Sequence, residues 1–381
     1  MNPSEDFINK LFSVIRIGLD LEINTNSDNY TNETLLEILS FGAQQSILPI
    51  VLKGVKQINS KLEIPKDIDV KNAKCLYQSV QHDQYINVLG SVLSGAKIPY
   101  ILLKGAVIRD LYPDKDLRTS CDLDILVRSE DVNTAVSIIE KETDFVKTHD
   151  AYHNASLRNK TTHLELHFTL KENQEKIDSV LDLAWDYAYP TGNGSMYAFN
   201  PEYQVFYILA HMAHHFLNGG LGIRPFIDIW MLRNRTSFDE SLVLDLCGNA
   251  GLSKFYVSCC LLSDVWLSNK QHTTVTKMME EAALSGGVYG SKSFNYAVRQ
   301  KKYAGAKYIA SRIFPPPYQV REFYKDENNK KHCILYYYFK RLRSWLSKNR
   351  RKELKNQLDN IRATDKEQIT FVNDLIKQLD L

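Results

Sequence analysis

Two aspartates one residue apart are the residues whose types and spacing point most clearly to chemistry in this sequence. Asp122 and Asp124 lie in the otherwise apolar stretch 121–127, which is typical of a β-strand. Side chains of a strand alternate between its two faces, so both carboxylates share one face and the apolar residues share the other. Like charges this close repel each other, and a hard divalent cation with oxygen ligands would stabilise them. A merely solvated sheet face is the alternative.

A third acidic residue follows on a later strand. In the clearly alternating stretch 163–170, Glu165 shares a face with His163 and His167. If this strand pairs beside the first, Glu165 becomes a third metal ligand together with the two aspartates. Three carboxylates on adjacent strands suit phosphoryl transfer with two Mg²⁺ ions, and Glu165 would also help to deprotonate the attacking hydroxyl. The two histidines are possible substrate contacts, or else hydrogen-bonding neighbours of the acids.

Upstream of the aspartates, a short apolar strand turns into a helix at Lys104, Gly105 and Ala106. Glycine lets a phosphate approach the backbone closely, and the N-terminus of the helix presents free N–H groups. The Lys104 ammonium adds a positive charge, and Arg118, four residues before Asp122, is placed to reach a phosphate oxygen. We therefore predict that the three turn residues and Arg118 bind the phosphates of a nucleotide.

A second group of polar residues lies on predicted helices further along the chain. His211 and His215 are four residues apart, so they share a helix face, and Arg224 and Asp228 have the same spacing. Two histidines at this spacing can bind zinc, but no third ligand is evident, so packing or substrate contact is favoured. Arg224 and Asp228 are most simply an intrahelical ion pair, with a role in orienting the substrate as the alternative.

The elements that must position these residues change in type along the chain. Residues 1–96 show the apolar spacing of helices. Strand and helix patterns alternate between 100 and 170, including a helix over 129–142 with Ser129 as its N-cap. After Lys171 the helical pattern returns and holds to the end. The expected fold class is α+β, with a small mixed β-sheet embedded in a mostly helical chain.

The ordered set of motifs resembles a known enzyme family. A glycine turn, then Asp-x-Asp on one strand and a glutamate on a later one resembles the nucleotidyltransferase fold of the DNA polymerase β superfamily. The fuller set is similar to an uncharacterised bacterial group of that superfamily, the NTP_transf_5-like nucleotidyltransferases. The matching positions are Leu103-Lys104-Gly105, Tyr112-Pro113, Arg118, residues 122–127, Glu165-Leu166-His167, the histidines 211, 214 and 215, Arg224, Asp228 and residues 312–315.

The resemblance implies a Mg²⁺-dependent transferase that moves an NMP from an NTP, such as ATP, to an acceptor hydroxyl or phosphate and releases pyrophosphate. The acceptor is not written in the sequence. One alternative is a toxin-like transferase that modifies tRNA or protein, and another is a catalytically silent nucleotide-binding scaffold. The expected domains are an N-terminal helical segment, a nucleotidyltransferase core and a C-terminal helical domain, at residues 1–70, 71–172 and 173–381.

The charge balance gives the molecule no global attraction to nucleic acid or membranes. There are 47 Lys and Arg against 45 Asp and Glu, so any such affinity requires a local patch. Residues 333–356 hold eight basic residues and one acid, interleaved with aromatics, and could bind nucleic acid. The favoured alternative is an amphipathic helix that buries its aromatic stripe and leaves a solvated basic face.

The cellular location is predicted from what the sequence lacks. Its longest apolar runs fall far short of the roughly 20 residues that a membrane span needs. The acidic N-terminal segment does not have the order of a signal peptide. The six cysteines are scattered without a C-x-x-C pair, and we interpret them as buried thiols in a reducing compartment. The expected location is the cytoplasm.

Overall fold

The computed structural model describes residues 3–22, 29–150, 153–172, 174–287, 290–291, 294–298, 314, 317, 333–345 and 366–381. These residues form a mostly helical chain around one mixed sheet, which confirms the predicted α+β class. The helices of the described residues are α1 (Glu5–Gly18), α2 (Asn32–Gln44), α3 (Leu48–Ile58), α4 (Lys66–Gly95), α5 (Gly105–Ile108), α6 (Val132–Glu142), α7 (Glu175–Leu181), α8 (Pro201–Gly219), α9 (Arg224–Arg235), α10 (Glu240–Ala250), α11 (Ser253–Ser268), α12 (Thr274–Leu284), α13 (Ile334–Trp345) and α14 (Lys366–Gln378).

The sheet has seven strands within the described residues. Its order across the sheet is β3-β4-β5-β2-β1-β7-β6. The central strand β2 pairs antiparallel with β1 and parallel with β5, and β1 pairs parallel with β7. The strands are β1 (Tyr100–Leu102), β2 (Asp122–Val127), β3 (Val146–Asp150), β4 (Asn154–Arg158), β5 (His163–His167), β6 (Ala188–Pro190) and β7 (Met196–Phe199).

Two of these strands correct the sequence prediction, which expected only helices after Lys171. Strands β6 and β7 form an antiparallel hairpin, and β7 extends the sheet beside β1. The turn between them contains Gly192 and Gly194, both with positive φ angles of 81° and 60°. Glycine adopts this backbone region at little cost, so the Gly-Asn-Gly sequence was the available signal for a hairpin.

The start of α6 also differs from the prediction. The helix begins at Val132, and Asp131 rather than Ser129 occupies its N-cap, without a side-chain capping bond. Ser129 instead donates a hydrogen bond to the carboxylate of Glu130, at 3.2 Å. Its hydroxyl is therefore engaged before the helix starts.

One face of the sheet is buried against two helices. Leu123 and Ile125 of β2 and Leu164 and Leu166 of β5 are almost fully buried in an apolar cluster with residues of α4 and α6. The residues between them on each strand point to the other face. The sequence alternation therefore holds, and the acids are placed on the face that does not contact α4 and α6.

A larger apolar cluster joins the helices of both chain ends to the other side of the sheet. It includes Leu11 of α1, Val51 of α3, Leu126 of β2, Phe206 of α8 and Phe255 of α11. Its members therefore come from all three stretches that the sequence suggested as domains.

The cysteines and the helices bear on the expected location. All six cysteines are free thiols in the structure, and Cys247, Cys259 and Cys260 are buried as expected. Cys121 and Cys333 are exposed, so the interpretation as buried thiols is wrong for these two. Along the part of the chain that the structure describes, we find no helix that combines the length and the apolarity needed to cross a membrane.

Candidate metal and nucleotide site

The parallel pairing of β2 and β5 brings together the residues predicted to bind metal. In this register Asp124 lies opposite Glu165, and Leu126 lies opposite His167. Ligand atoms of Asp124, Glu165 and His167 all lie within 4.8 Å of one another. The prediction that the Glu165 strand pairs beside the Asp-x-Asp strand is therefore confirmed.

Asp122 lies on the same face but at its solvent edge. Its side chain is 40% exposed, and its Oδ1 lies 2.9 Å from Nδ1 of His163. His163 also contacts the hydroxyl of Ser156 through Nε2, at 2.6 Å. The compact cluster thus contains two of the three predicted carboxylates together with His167, while Asp122 and His163 form a neighbouring pair.

Asp124 is the most strongly held acid of the cluster. Lys104 donates a hydrogen bond from Nζ to Oδ1 of Asp124 at 2.8 Å, and Nε2 of His167 lies 3.0 Å from the same oxygen. Burial would raise the pKa of Asp124, but Lys104 and His167 together bring this pKa well below its ordinary value. Asp124 is therefore ionised at neutral pH.

His167 links the two carboxylates of the cluster. Its Nε2 also lies 3.4 Å from Oε2 of Glu165. Burial would lower the pKa of His167, but the bonds to Asp124 and Glu165 raise it overall. The hydrogen bond from His167 is in turn the main reason why the pKa of Glu165 is lowered. The buried Asp124 and the partly exposed Glu165 thus share His167 as a partner, and the Lys104 ammonium pairs with Asp124.

The donor set of this cluster fits a divalent cation. Asp124 and Glu165 supply the hard carboxylate oxygens that Mg²⁺ prefers, while a His167 nitrogen would suit a transition metal such as Mn²⁺ better. Lys104 and His167 already pair with these carboxylates, which indicates that the position attracts positive charge. These three residues could therefore hold a metal ion.

The turn after β1 aims Lys104 at this cluster. Lys104 has a φ angle of 47°, an uncommon conformation for a residue with a side chain. A Cβ atom added at Gly105 would lie 2.4 Å from Nη1 of Arg118 and 2.9 Å from the hydroxyl of Ser120. Gly105 is thus required by close packing against Arg118. Ala106 packs against the apolar cluster that the sheet forms with α4 and α6.

Arg118 is buried in an ion pair with Asp228. Its Nη2 and Nε donate to the two carboxylate oxygens at 2.8 and 3.2 Å, and the hydroxyl of Tyr112 donates to Oδ1 at 2.7 Å. Arg224 donates from Nη1 to the carbonyl of Thr119 at 3.2 Å. These bonds of Asp228 therefore run from α9 to the segment before β2, whereas the sequence suggested an ion pair within the helix.

Helix α8 contributes a group of histidines with a glutamate. Nδ1 of His211 and Nδ1 of His214 lie 3.4 and 3.1 Å from the two carboxylate oxygens of Glu172. Nε2 of His215 lies 2.9 Å from Nε2 of His211, so the predicted i, i+4 pair is in direct contact. Glu172 and His214 were absent from the predicted site residues, and His153, which stacks on His167 with ring centroids 5.5 Å apart, was absent too.

One cavity of about 290 Å³ connects these groups. It contains most of the predicted site residues, whereas Ala106 and His163 do not line it. Its polar lining consists of Lys104, Arg118, Ser120, Cys121, Asp122, Asp124, His153, Glu165, His167, Glu172, His211, His214, His215, Arg224 and Asp228. The sequence contained no signal for Glu172 and His153, because each lies outside any motif and reaches the cavity only through the tertiary fold.

The C-terminal basic stretch begins on α13. Tyr337 and Arg341 are buried, whereas Leu335 is 74% and Phe339 is 68% exposed. The favoured prediction that this helix buries its aromatic stripe is therefore wrong for Phe339 and for the half-exposed Tyr336. Residues 346–356 of the basic stretch, and residues 312, 313 and 315 of the matched stretch 312–315, lie outside the described residues.

Comparison with known proteins identifies the family. The sequence model of NTP_transf_5, described as an uncharacterised nucleotidyltransferase, matches residues 33–268. This is well over half of the chain. The protein belongs to this nucleotidyltransferase family. As a member of NTP_transf_5 it is an NTP-dependent transferase that moves a nucleotidyl group. No curated protein and no solved structure matches the chain.

Proposed function

We propose that this protein uses Mg²⁺ to transfer an NMP from an NTP, such as ATP, to a hydroxyl or phosphate of an acceptor molecule. The main support is the convergence of Asp124, Glu165 and His167 on one sheet face, beside Lys104 and with Asp122 at its edge. Folding by itself gains nothing from placing acids together, so the cluster favours a catalytic role.

The proposed cation ligands are Asp124 and Glu165, with Asp122 at the open edge as the ligand that would allow a second ion. Bound Mg²⁺ would activate the attacking hydroxyl and neutralise the leaving pyrophosphate. The ionised state of Asp124 and the lowered pKa of Glu165 both favour cation binding, because a protonated carboxyl group is a poor ligand.

The proposed triphosphate site lies on the cationic side of the cavity. Lys104 would exchange its bond to Asp124 for a bond to a phosphate oxygen, and Gly105 lines the cavity beside it. The backbone N–H of Ala106 already donates to the carbonyl of Leu103 at 3.2 Å, so the predicted contact of Ala106 with phosphate would require that bond to break. Arg118 is held in place by Asp228, so we assign it a role in shaping this side of the cavity and in adding positive potential. Arg224 lines the same cavity and would contact the phosphates.

A toxin-like transferase acting on tRNA or protein is the second candidate. It is favoured by α13, where exposed Leu335 and Phe339 accompany the basic residues Lys340 and Arg343. Exposed aromatics beside positive charges suit a polyanionic or protein partner.

We also propose a cytoplasmic location for the protein and a division of the chain into three parts at residues 70 and 172, whichever acceptor it uses.

The carboxylates are tested by changing Asp122 and Asp124 to asparagine together. We expect a loss of at least about 100-fold in transfer of label from α-³²P-NTP, because each change removes a charge that the cation needs. The exposed Asp110 provides a matched control, and Asp110→Asn should leave the rate unchanged. Full activity of a folded double variant would refute the site.

The scaffold alternative is tested by thermal shift. Titration with each NTP, with and without Mg²⁺, should raise the melting temperature of the wild-type protein only when both are present. No response to any NTP would favour a scaffold that binds no nucleotide, and stabilisation by an NTP without transfer of its label would indicate a silent nucleotide-binding scaffold.

A further inference from the structure

Glu172 is an ionisable residue of the cavity to which the proposed cation and phosphate sites assign no role. Glu172 lies between β5 and α7, and its side chain is 18% exposed toward the cavity. Asp178 of α7 fixes this segment, since its carboxylate accepts the backbone N–H of Glu172 at 2.8 Å and that of Gln174 at 3.1 Å. The carboxyl group is therefore held in place by the fold.

The Glu172 side chain is also oriented by a ring of α8. Nδ1 of His211 makes a hydrogen bond with Oε1 at 3.4 Å, and Nδ1 of His214 lies 3.1 Å from Oε2 without the geometry of a hydrogen bond. The contact of His211 with His215 through Nε2 fixes the ring of His211 in turn. A carboxylate has about four lone-pair sites, so two imidazoles leave room for a bond from a ligand in the cavity.

The surroundings of Glu172 suit proton transfer near neutral pH. Burial raises its pKa to about 7, although Lys104 and His167 oppose the rise, whereas Asp178 and Glu165 add to it. A general base works best when its pKa lies near the working pH. Glu165 differs in this respect, because the hydrogen bond from His167 lowers its pKa and makes it a weaker proton acceptor.

The part of the cavity around Glu172 offers little to an anionic acceptor. Burial lowers the pKa of His153 and of His215 to about 4, and it also lowers the pKa values of His211 and His214. These four rings are thus neutral at pH 7. The remaining lining residues of α8 and of the segment after it are apolar, namely Ile208, Met212 and Leu221. Lys104 and His167 also act on Glu172, but the proposed phosphate and cation sites already engage them, so an acceptor phosphate would otherwise meet a carboxylate and neutral rings.

We propose that Glu172, held by His211 and with His214 beside it, is the general base of the transfer, and that the acceptor is an uncharged or cationic hydroxyl compound. This inference rests on the proposed function and narrows its acceptor from a hydroxyl or phosphate to a hydroxyl alone.

In the proposed transfer, each bond that forms is matched by a bond that breaks. The acceptor O–H bond breaks, and its proton passes to a carboxylate oxygen of Glu172. The oxygen lone pair forms the new bond to the α-phosphorus of the NTP. The bond from that phosphorus to the bridging oxygen of the β-phosphate breaks, and pyrophosphate leaves with the electron pair. Deprotonation of Glu172 to solvent restores the base.

The acceptor class is tested with cell extract divided by charge. Small molecules are separated by anion exchange into a neutral and cationic pool and an anionic pool, and each is incubated with the protein, Mg²⁺ and α-³²P-NTP. We expect a labelled product from the neutral and cationic pool. Label that arises only from the anionic pool would overturn this inference and leave the proposed function standing. Label only in the macromolecular fraction would overturn this inference and favour the second candidate. Label in no fraction would overturn the proposed function, and this inference with it.

The base is tested with Glu172→Gln in the pool that gives product. The wild-type rate should rise up to about pH 7, and we expect Glu172→Gln to lose this rise together with about 100-fold or more of the rate. Stabilisation by Mg²⁺ and NTP in thermal shift should remain. Glu172→Asp keeps a carboxylate and should retain the pH-dependent rise at a lower rate.

The matched control is the exposed Glu175, three residues further along, where Glu175→Gln should leave both rate and pH profile unchanged. If the rate of Glu172→Gln still rose with pH as in the wild type, the base assignment would be overturned, because another group would then cause that pH dependence.

Discussion

At the residue scale, the chemistry of the cavity depends on how each carboxyl group is surrounded. Asp124 and Glu165 lie beside Lys104 and His167, which hold their pKa values below the ordinary range. Glu172 lies against neutral histidines, and burial raises its pKa to about 7. These different surroundings are the basis on which we propose cation binding for Asp124 and Glu165 and proton transfer for Glu172.

The raised pKa of Glu172 has a consequence for stability that can be measured without substrate. The native state binds a proton between about pH 4.5 and 7 that the unfolded state has released, so this group destabilises the fold as pH rises through that window. Glu172→Gln should therefore be more stable than the wild type above pH 7, by up to about 3 kcal/mol, with little difference below pH 4.5.

The measurement is the melting temperature of both proteins from pH 4 to 8. The neighbouring histidines have lowered pKa values, and they make both proteins less stable in acid, so the difference between the two curves reports on Glu172. A difference that does not change with pH would contradict the assigned shift. Glu175→Gln serves again as the exposed control.

At the scale of elements, α1 and α3 approach each other so closely that only glycine fits at the contact. A Cβ atom at Gly18 would lie 2.1 Å from the carbonyl oxygen of Ile50, and one at Gly54 would lie 2.2 Å from that of Val14. Both obstacles are backbone atoms of the opposite helix. The helices must therefore separate if either glycine gains a side chain.

We accordingly expect Gly54→Ala to lower the free energy of unfolding by about 2 kcal/mol or more, in spite of the better helix propensity of alanine. Urea denaturation measures this change. Gly95, at the end of α4, has no atom within 4 Å of an added Cβ, so Gly95→Ala should change stability by less than about 1 kcal/mol. Equal effects of the two substitutions would contradict the packing.

The ion pair between Arg118 and Asp228 connects the loop before β2 to α9. Both side chains are buried, and Arg118 uses two nitrogens on the one carboxylate. Removing one partner leaves an uncompensated buried charge, so Asp228→Asn should destabilise the fold by about 3–5 kcal/mol. Urea denaturation tests this, with the exposed Asp245→Asn on α10 as control. A loss no larger than that of the control would show that the pair is dispensable.

At the scale of the whole molecule, the N-terminal helices are part of the main apolar core. Phe12 of α1 stacks on Trp266 of α11 with ring centroids 4.5 Å apart, and Arg16 donates to the carbonyl of Trp266 at 2.9 Å. The sequence predicts residues 1–70 as a separate helical segment, and this division of the chain stays a prediction. Their contacts with α11 give them a direct part in stability.

Phe12→Ala should therefore lower the free energy of unfolding by about 3–5 kcal/mol, because it removes a fully packed aromatic ring from the core. Phe339 of α13 is 68% exposed and makes a suitable control, since Phe339→Ala should leave stability within about 0.5 kcal/mol of the wild type. Thermal and urea unfolding both report the difference. Similar losses for the two variants would contradict the assigned burial.

The sequence by itself determined the class of the fold and the face on which the acids lie. Alternation in residues 121–127 and 163–170 is a local property, because side chains of a strand alternate wherever the strand is placed. It therefore indicated that Asp122 and Asp124 share a face, as do Glu165 and its neighbouring histidines. The ordered motifs also indicated the nucleotidyltransferase family.

Only the tertiary structure decided which side chains meet. Parallel register placed Asp124, Glu165 and His167 in one cluster and left Asp122 at its edge, and β7 joined the sheet from a segment read as helix. Glu172 entered the cavity because α8 brings His211 to it from 39 residues away. Such contacts between distant segments depend on how the elements pack, and no local periodicity in a single sequence records that packing.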